Sequence, residues 1–501
     1  MKMTIGFNRI PSNIVAPLVA FEVTSAGNFE NQSRLLLVGH AAAAGEATLD
    51  EPVICTSLRE AARLCGGGSM LHEMFRLAIM NAPAQEIWLL PATETGTAQT
   101  RTLTLADIPA AGGVGLIDID GKRLAITIAA GATAAQVAAA LNTAINGFYE
   151  ADTGAYLPFT SAVADEVVTL TARHKGAYAT ALDINVPAVA DNALTGCVTA
   201  AVGTAGAGTP DLSNAFAALG DDAFDWIVSA FDDATSIAKY KALMSDASGR
   251  WAFNKQIYGH VFFPKKDSIA NLTTFGLSHD DRHITAIPIP ASGVPQAGYS
   301  WAAAMVARVV PWLADGALGN VSRNQTGLVV GGLQAPRSRA DWWDYTTRNA
   351  LLISGISTFA VDTVGRITID KIVTMQRTTS GVPDTTFRDI QMIGQIMYSL
   401  RYFRQRFTIE HMQKGLGQDN PRNLLAITTI PEIKATVVHA YTELERNGVL
   451  VNVNRAAELL QVEQDSVNAN RVNIGLNLDM ADPLDIIATN AFIWKQFRRA
   501  A

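Results

Sequence analysis

The chain has 501 residues, 17% of them charged, and a formal net charge of −7. That length implies two to four domains, not one core, and the mild acidity excludes a general nucleic-acid binder, which carries a strong basic excess. A charge fraction under the usual quarter or so is compatible with a surface largely covered by partners. No window reaches the roughly 18 uninterrupted apolar residues of a membrane-spanning helix.

The opening, MKMTIGFNRIPSN, has no apolar stretch behind its single Lys2, so no secretory signal is expected. Cys55, Cys65 and Cys197 form no CxxC pair and read as reduced core thiols of a protein made in a cytoplasm. Residues 1–25 carry Pro11 and Pro17 and a short alternating run from Leu18 to Val23. Proline lacks the amide hydrogen and fixes φ, so this segment is expected to be an extended arm that pairs only at an edge.

From 26 to 95 the chain reads as the first part of an α/β core. RLLLVGH is a short apolar run of the buried-strand kind. Ser57 with Glu60 predicts a capping box and a short helix, and Ser69 opens a second helix with Leu71, Met74, Phe75 and Ala78 on one face. EIWLLP then returns as a strand. Residues 96–205 shift to Thr, Ala, Gly and Val, with several strand-like runs, a turn at Asp120-Gly121 and one helix over Thr133–Asn146. This predicts a mostly-β domain inserted into the core.

The α/β rhythm resumes over 206–467. FDWIVSAF, QIYGHVFFP and HITAIPIP read as strands, separated by helical stretches such as ATSIAKYKALMSDASG. Strands alternating with helices of about ten to fifteen residues predict a mixed, largely parallel sheet covered by helices. GRITIDKIVTMQR, a further strand and its exit, precedes the long helix FRDIQMIGQIMYSLRYFRQRF and a last helix, IPEIKATVVHAYTELERNG. Residues 468–501 read as a strand ribbon: Val472, Ile474, Leu476 and Leu478 fall at every second position, and Ile486 and Ile487 follow the break at Ala481-Asp482-Pro483. No partner for that ribbon is evident within the chain.

Catalytic signatures are missing: there is no GxSxG, no HExxH and no Walker A loop. Gly66-Gly67-Gly68-Ser69 opens a helix, where bare amides can hold phosphate, but the loop has no lysine, and a structural turn is the plainer reading. His279, Asp280, Asp281 and His283 make the densest set of metal-type side chains, at a helix-to-strand turn where a solvated loop explains them as well. His72-Glu73 lacks a second histidine one turn on, where Arg76 stands, and His174 reads as a polar strand-end residue. Asp221, Asp222, Asp225, Asp232 and Asp233 surround a strand and read as loop acids. No catalytic, cofactor or metal site is expected. The strongest charge feature is Arg401, Arg404 and Arg406 with Lys414 beyond. It reads either as compensation of the helix dipole or as a basic docking face for an acidic protein partner.

Several stretches together resemble the tail sheath proteins of contractile bacteriophages, the Mu-like kind: FNRIPSNIVAPLVAFEV, GGGSMLHEMFRLAIMNAP, VVTLTARHKGAYATALDINV, and the long run from RSRADWWDYTTRNALL to SLRYFRQRF. The resemblance implies a structural protein, not an enzyme. It implies an α/β core with an outward-facing β insert, polymerising as rings or a helix around a tail tube protein, with baseplate and tail-terminator proteins as further partners. It also implies arms at both ends that add strands to neighbouring subunits. Here these would be Ile14, Leu18, Val19 and Phe21 at one end and Val472, Ile474, Leu476, Leu478, Ile486 and Ile487 at the other. Arg401, Arg404, Arg406 and Lys414 would then face the tube. The expected place is the virion tail, assembled in a host cytoplasm, with no cofactor, nucleic acid or stable membrane association. A sheath of a headless injection particle is the near alternative, and a nucleotide-dependent α/β enzyme the distant one.

Overall fold

A computed structural model of the chain describes residues 33–493. The expected N-terminal arm, with Ile14, Leu18, Val19 and Phe21, lies outside the described residues. The fold is mixed α/β with several sheets. The largest has six strands in the order Ile284–Pro290, His260–Asp267, Trp226–Ser229, Leu35–Gly39, Ile87–Pro91, Val53–Cys55. All neighbours run parallel except the last pair, which is antiparallel.

Leu35–Gly39 lies between strands from both sides of the 98–202 region, with Leu35 level with Trp226 on one side and Ile87 on the other. Every residue of Leu35–Gly39, Trp226–Ser229 and Ile284–Pro290 is buried. Helices cover both faces of a parallel sheet, so its strands carry continuous apolar runs instead of alternation. The helix Gly298–Leu313 is apolar nearly all round and buried over most of its length, packing on the sheet and on helix Met70–Asn81. Its small residues, Ala302, Ala303, Ala304 and Ala307, permit that close approach. No helix among the described residues is long and apolar enough to cross a membrane.

Local signals set the helix starts. Ser57, Ser69, Thr133, Asp233 and Ser268 each accept a backbone N–H of the first turn. The box expected at Ser57 differs in one respect: the Glu60 carboxylate reaches back to the Thr56 amide at 2.9 Å, one residue before the cap. A complete capping box is present at Thr133 with Gln136.

Between residues 98 and 202 the chain forms two small antiparallel sheets. Ala98–Leu105, Phe159–Ala164, Val167–Lys175 and Val198–Val202 make one, and Gly113–Ile119, Lys122–Ile128 and Ile184–Asn185 the other. Helix Ala134–Asn146 packs against strands of both. Asp120 and Gly121, with φ of 50° and 75°, make the two-residue turn joining Gly113–Ile119 to Lys122–Ile128.

That turn does more than reverse the chain. Lys122 Nζ lies 2.8 Å from Asp120 and 3.2 Å from Glu73, and Glu73 holds Arg76 through two bonds of 2.8 and 2.9 Å. Asp120 also accepts the Ala297 amide at 2.8 Å, just before helix Gly298–Leu313. The four charged side chains are at most 7% exposed. Burial alone would raise the Glu73 pKa, but Lys122 and Arg76 outweigh it and hold the group down at about 2. Burial dominates at Asp120, whose pKa is raised despite Lys122. A second such tie joins Arg401, on the long helix Ile390–Glu410, to Asp225, just before strand Trp226–Ser229.

Removing one partner of a buried ion pair strands the other charge, at a cost of about 3–5 kcal/mol. Lys122→Ala, which leaves Glu73 and Asp120 side by side, is therefore expected to lower unfolding stability by about that much, measured by urea titration of the unassembled chain. Arg401→Ala is expected to do the same, because Asp225 is 2% exposed. A change within about 0.5 kcal/mol, the range of ordinary surface substitutions, would show that either tie contributes little.

Candidate assembly surface

The last part of the chain has its own core. In helix Ile430–Arg446 the buried residues Ile433, Val437, Ala440, Tyr441 and Leu444 share one face. Thr429 and Glu432 form a capping box at its start, and Gly448, at φ 72°, follows its end. That face packs with Tyr398, Tyr402 and Phe403 of helix Ile390–Glu410.

Strand Val472–Gly475 pairs antiparallel with Gln461–Gln464, Val462 opposite Ile474. Val462, Ile474, Leu476 and Leu478 all pack on this second core. The expectation that the ribbon has no mate within the chain is thus corrected for Val472 and Ile474, while Leu476 and Leu478 pack on the core without a strand partner. The partner strand was missed because QVEQ, four residues with one aliphatic side chain, gives no alternating apolar signal. The hairpin has two strands, and neither outer edge is paired among the described residues.

Beyond the hairpin the chain is pinned at successive points. Val451 donates to Asp479 O at 2.9 Å, Ala481 to Val449 O at 3.0 Å, and Gln395 Nε2 to Ala481 O at 2.7 Å. Asn324 donates to Leu484 O at 2.7 Å, and Lys371 is ion-paired with Asp485. After that, large apolar side chains face outward: Ile486 is 77% exposed, Ile487 79%, Phe492 77% and Ile493 95%. Among the described residues, 476–493 belongs to no named strand or helix.

The arginines separate. Arg401 makes a two-pronged ion pair with Asp225 at 2.8 and 2.5 Å and also donates to Ile257 O at 2.9 Å. The expectation of a tube-facing Arg401 is corrected: its guanidinium is turned inward, joining the long helix to the central sheet. Asp225, read as a loop acid, is the buried half of this pair. Its partner lies 176 residues away, beyond any local spacing signal. Helix compensation is corrected too, because the helix continues to Glu410 and its last turn holds no basic residue. Arg406 lies 3.4 Å from Glu410. Arg404 is exposed and Lys414 partly so, and neither is ion-paired among the described residues.

Beside these residues lies an open groove of about 1290 Å³. Met392, Ile396, Leu400, Phe403 and Phe407 form a stripe along the long helix on one wall, with Leu476 and Leu478 among the other lining residues. Phe253, also at the groove, is 84% exposed. Apolar area of this kind on a surface marks an interaction site.

The remaining candidates go to structural partners. In the Gly66–Ser69 loop, a Cβ on Gly67 would meet the Tyr156 ring at 2.9 Å, and the Met70 amide of the helix start is bonded to His174 Nε2 at 2.9 Å. His174, read as a strand-end residue, is buried and also holds Glu94. It joins the 98–202 region to helix Met70–Asn81. His279 bonds Phe275 O at 3.0 Å, Asp280 accepts the Arg377 amide at 2.8 Å, Asp281 accepts the His283 amide at 2.8 Å, and His283 lies 3.3 Å from Asp246. Asp232 pairs with Lys265, and Asp233 caps helix Ala234–Met244. Among the described residues no three metal-type side chains converge.

What the molecule offers is therefore a set of surfaces for association: an outward apolar segment, a hairpin with open edges, a groove and two unpaired cations. The profile of the phage tail sheath protein central domain matches residues 205–375. The Mu-like prophage FluMu tail sheath protein of Haemophilus influenzae is 30% identical over 498 residues, spanning 97% of this chain and 99% of that protein. Among solved structures, the sheath tail protein of Desulfitobacterium hafniense shares the fold with a TM-score of 0.50 at 12% identity, over 93% of this chain and 97% of that one. The sheath tail protein of Listeria innocua aligns with a TM-score of 0.45 at 12% identity, over 91% and 93% of the two chains. Near full-length identity at this level places the chain in the family of contractile-phage tail sheath proteins, Mu-like kind.

Proposed function

We propose that this chain polymerises around a tail tube by adding strands between subunits, and that the assembled sheath contracts to drive the tube through a host envelope. In this reading residues 26–95 and 206–467 form the rigid core and 96–205 an outward insert. Residues 1–25 and the end of the 468–501 segment act as exchanged arms. Baseplate and terminator proteins bound the polymer at its ends.

The supporting observation is the outward apolar segment Leu484–Ile493, in a chain that keeps Ile474–Met480 on its own core. An open strand edge is a liability in a soluble monomer, and among the described residues the Gln461–Gln464/Val472–Gly475 hairpin has two of them. A neighbour's arm laid on that hairpin would gain about 0.5–1.5 kcal/mol net per hydrogen bond, and about 1.5–3 kcal/mol per large apolar side chain buried. One arm is marginal once its ordering entropy is subtracted. Many arms in a lattice act multivalently. Such arms would stay attached as hinges while rigid cores repack from an extended to a shorter, more stable state.

Deleting residues 484–501 is expected to leave a folded subunit that forms no tubes by negative-stain electron microscopy. Normal cylinders from the shortened chain would reject strand exchange through this segment. Arg404→Glu with Lys414→Glu is expected to leave unfolding stability within about 0.5 kcal/mol of the parent while reducing co-assembly with the tube protein in a pelleting assay. Undiminished co-pelleting would remove these two residues from the tube contact.

A further inference from the structure

The central sheet changes direction at one place. From Leu35–Gly39 the chain passes to the antiparallel edge strand Val53–Cys55 and returns to Ile87–Pro91 on one side, then crosses to Trp226–Ser229 on the other. The reversal therefore lies between Leu35–Gly39 and Trp226–Ser229. In open parallel sheets, ligands sit in the crevice outside the carboxyl ends of the strands at such a reversal. Here that position is a cleft of about 710 Å³, within the range of small-molecule sites. His40, just after Leu35–Gly39, and Phe231, two residues past Trp226–Ser229, line it with ring centroids 4.7 Å apart.

The opposite wall comes from the 98–202 region through the turn Ala177–Ala181. Three cations line the cleft: Arg101, Lys175 and Lys266. Arg101 donates to Ala179 O at 3.1 Å and Thr180 O at 2.8 Å, and Lys266 to Ala181 O at 3.1 Å, so two positive charges share one turn. None of the three is ion-paired with a carboxylate among the described residues. Two of the lining acids are ion-paired outside the cleft, Asp183 with Arg337 and Asp232 with Lys265, while Asp233 and Asp267 accept from the neutral groups of Ser236 and Asn271. Burial lowers the pKa of both Arg101 and Lys266, opposed by Asp183. Helix Gly298–Leu313 also begins at the cleft, and its cap, Ala297, supplies no side chain to the first amides.

We propose that this cleft binds a small phosphate-bearing anion, with Arg101, Lys175 and Lys266 as its charge partners. Arg101 and Lys175 stand on strands of the 98–202 region and Lys266 on the central sheet. A bound anion would therefore join the two parts and stiffen their junction. This does not depend on strand exchange, and a subunit that failed to polymerise would still bind.

The test is calorimetric titration of the full-length chain with inorganic pyrophosphate at constant ionic strength. Saturable binding at one site per chain is expected, with a rise in melting temperature. Lys175→Met alone is expected to weaken it at least fivefold, and Lys175→Met with Lys266→Met at least tenfold. Lys434→Met, on the distant helix Ile430–Arg446, should leave the affinity unchanged. Lys175 is exposed, so its single replacement tests the site without threatening the fold. The proposal is overturned if pyrophosphate gives no saturable heat, or if the double variant binds as tightly as the parent.

Discussion

Four charged side chains, Glu73, Arg76, Asp120 and Lys122, sit at most 7% exposed where the 98–202 region meets the core. Charges at such depth survive only when each finds its opposite held in place. Glu73 and Arg76 are one helical turn apart on Met70–Asn81, while Asp120 is the first residue of a two-residue turn and Lys122 the residue after it. The ionic contact therefore fixes where that turn must rest. The Asp120 carboxylate then holds the Ala297 amide, which sets the start of the largely buried helix Gly298–Leu313. His174 against the Met70 amide is a second tie between the same two parts. The central sheet, completed by strands from both sides of the excursion, depends on this junction closing in one way.

A comparable device operates at the other end of the sheet. Arg401 reaches Asp225 just before strand Trp226–Ser229, so the long helix is referenced to the sheet by a directional bond as well as by apolar packing. The two ties lie in different parts of the chain and use different residues. The result is a body whose parts are locked in orientation, carrying at its surface a segment that is not. For a subunit expected to repack against neighbours, that division is physically apt: deformation concentrates where few contacts resist it.

The parts of the fold legible in sequence were those whose signal is local. Continuous apolar runs such as Leu35–Val38 identify strands buried on both faces, and the caps at Ser69 and Thr133 place helix starts. Pairing at long range left no such trace. Asp120 was legible as a turn residue but not as part of a buried charge cluster, since Glu73, the second carboxylate that Lys122 holds, lies on another element far back in the chain. Arg401 carried the same charge pattern as Arg404, yet one faces a carboxylate and the other the solvent, a distinction made by the sheet behind them. The ribbon at Val472–Leu478 showed its period plainly, but Gln461–Gln464, the mate of its first four residues, is too short and polar to announce itself.

The Lys371–Asp485 contact works as a cleat on a rope. From Asp485 to Ile493 the chain spans eight residue steps, which even fully stretched cover about 28 Å. Whatever surface Phe492 and Ile493 settle on must lie inside that radius. The leash thus imposes an upper limit on how far apart two bodies joined by this stretch can stand while the cleat holds.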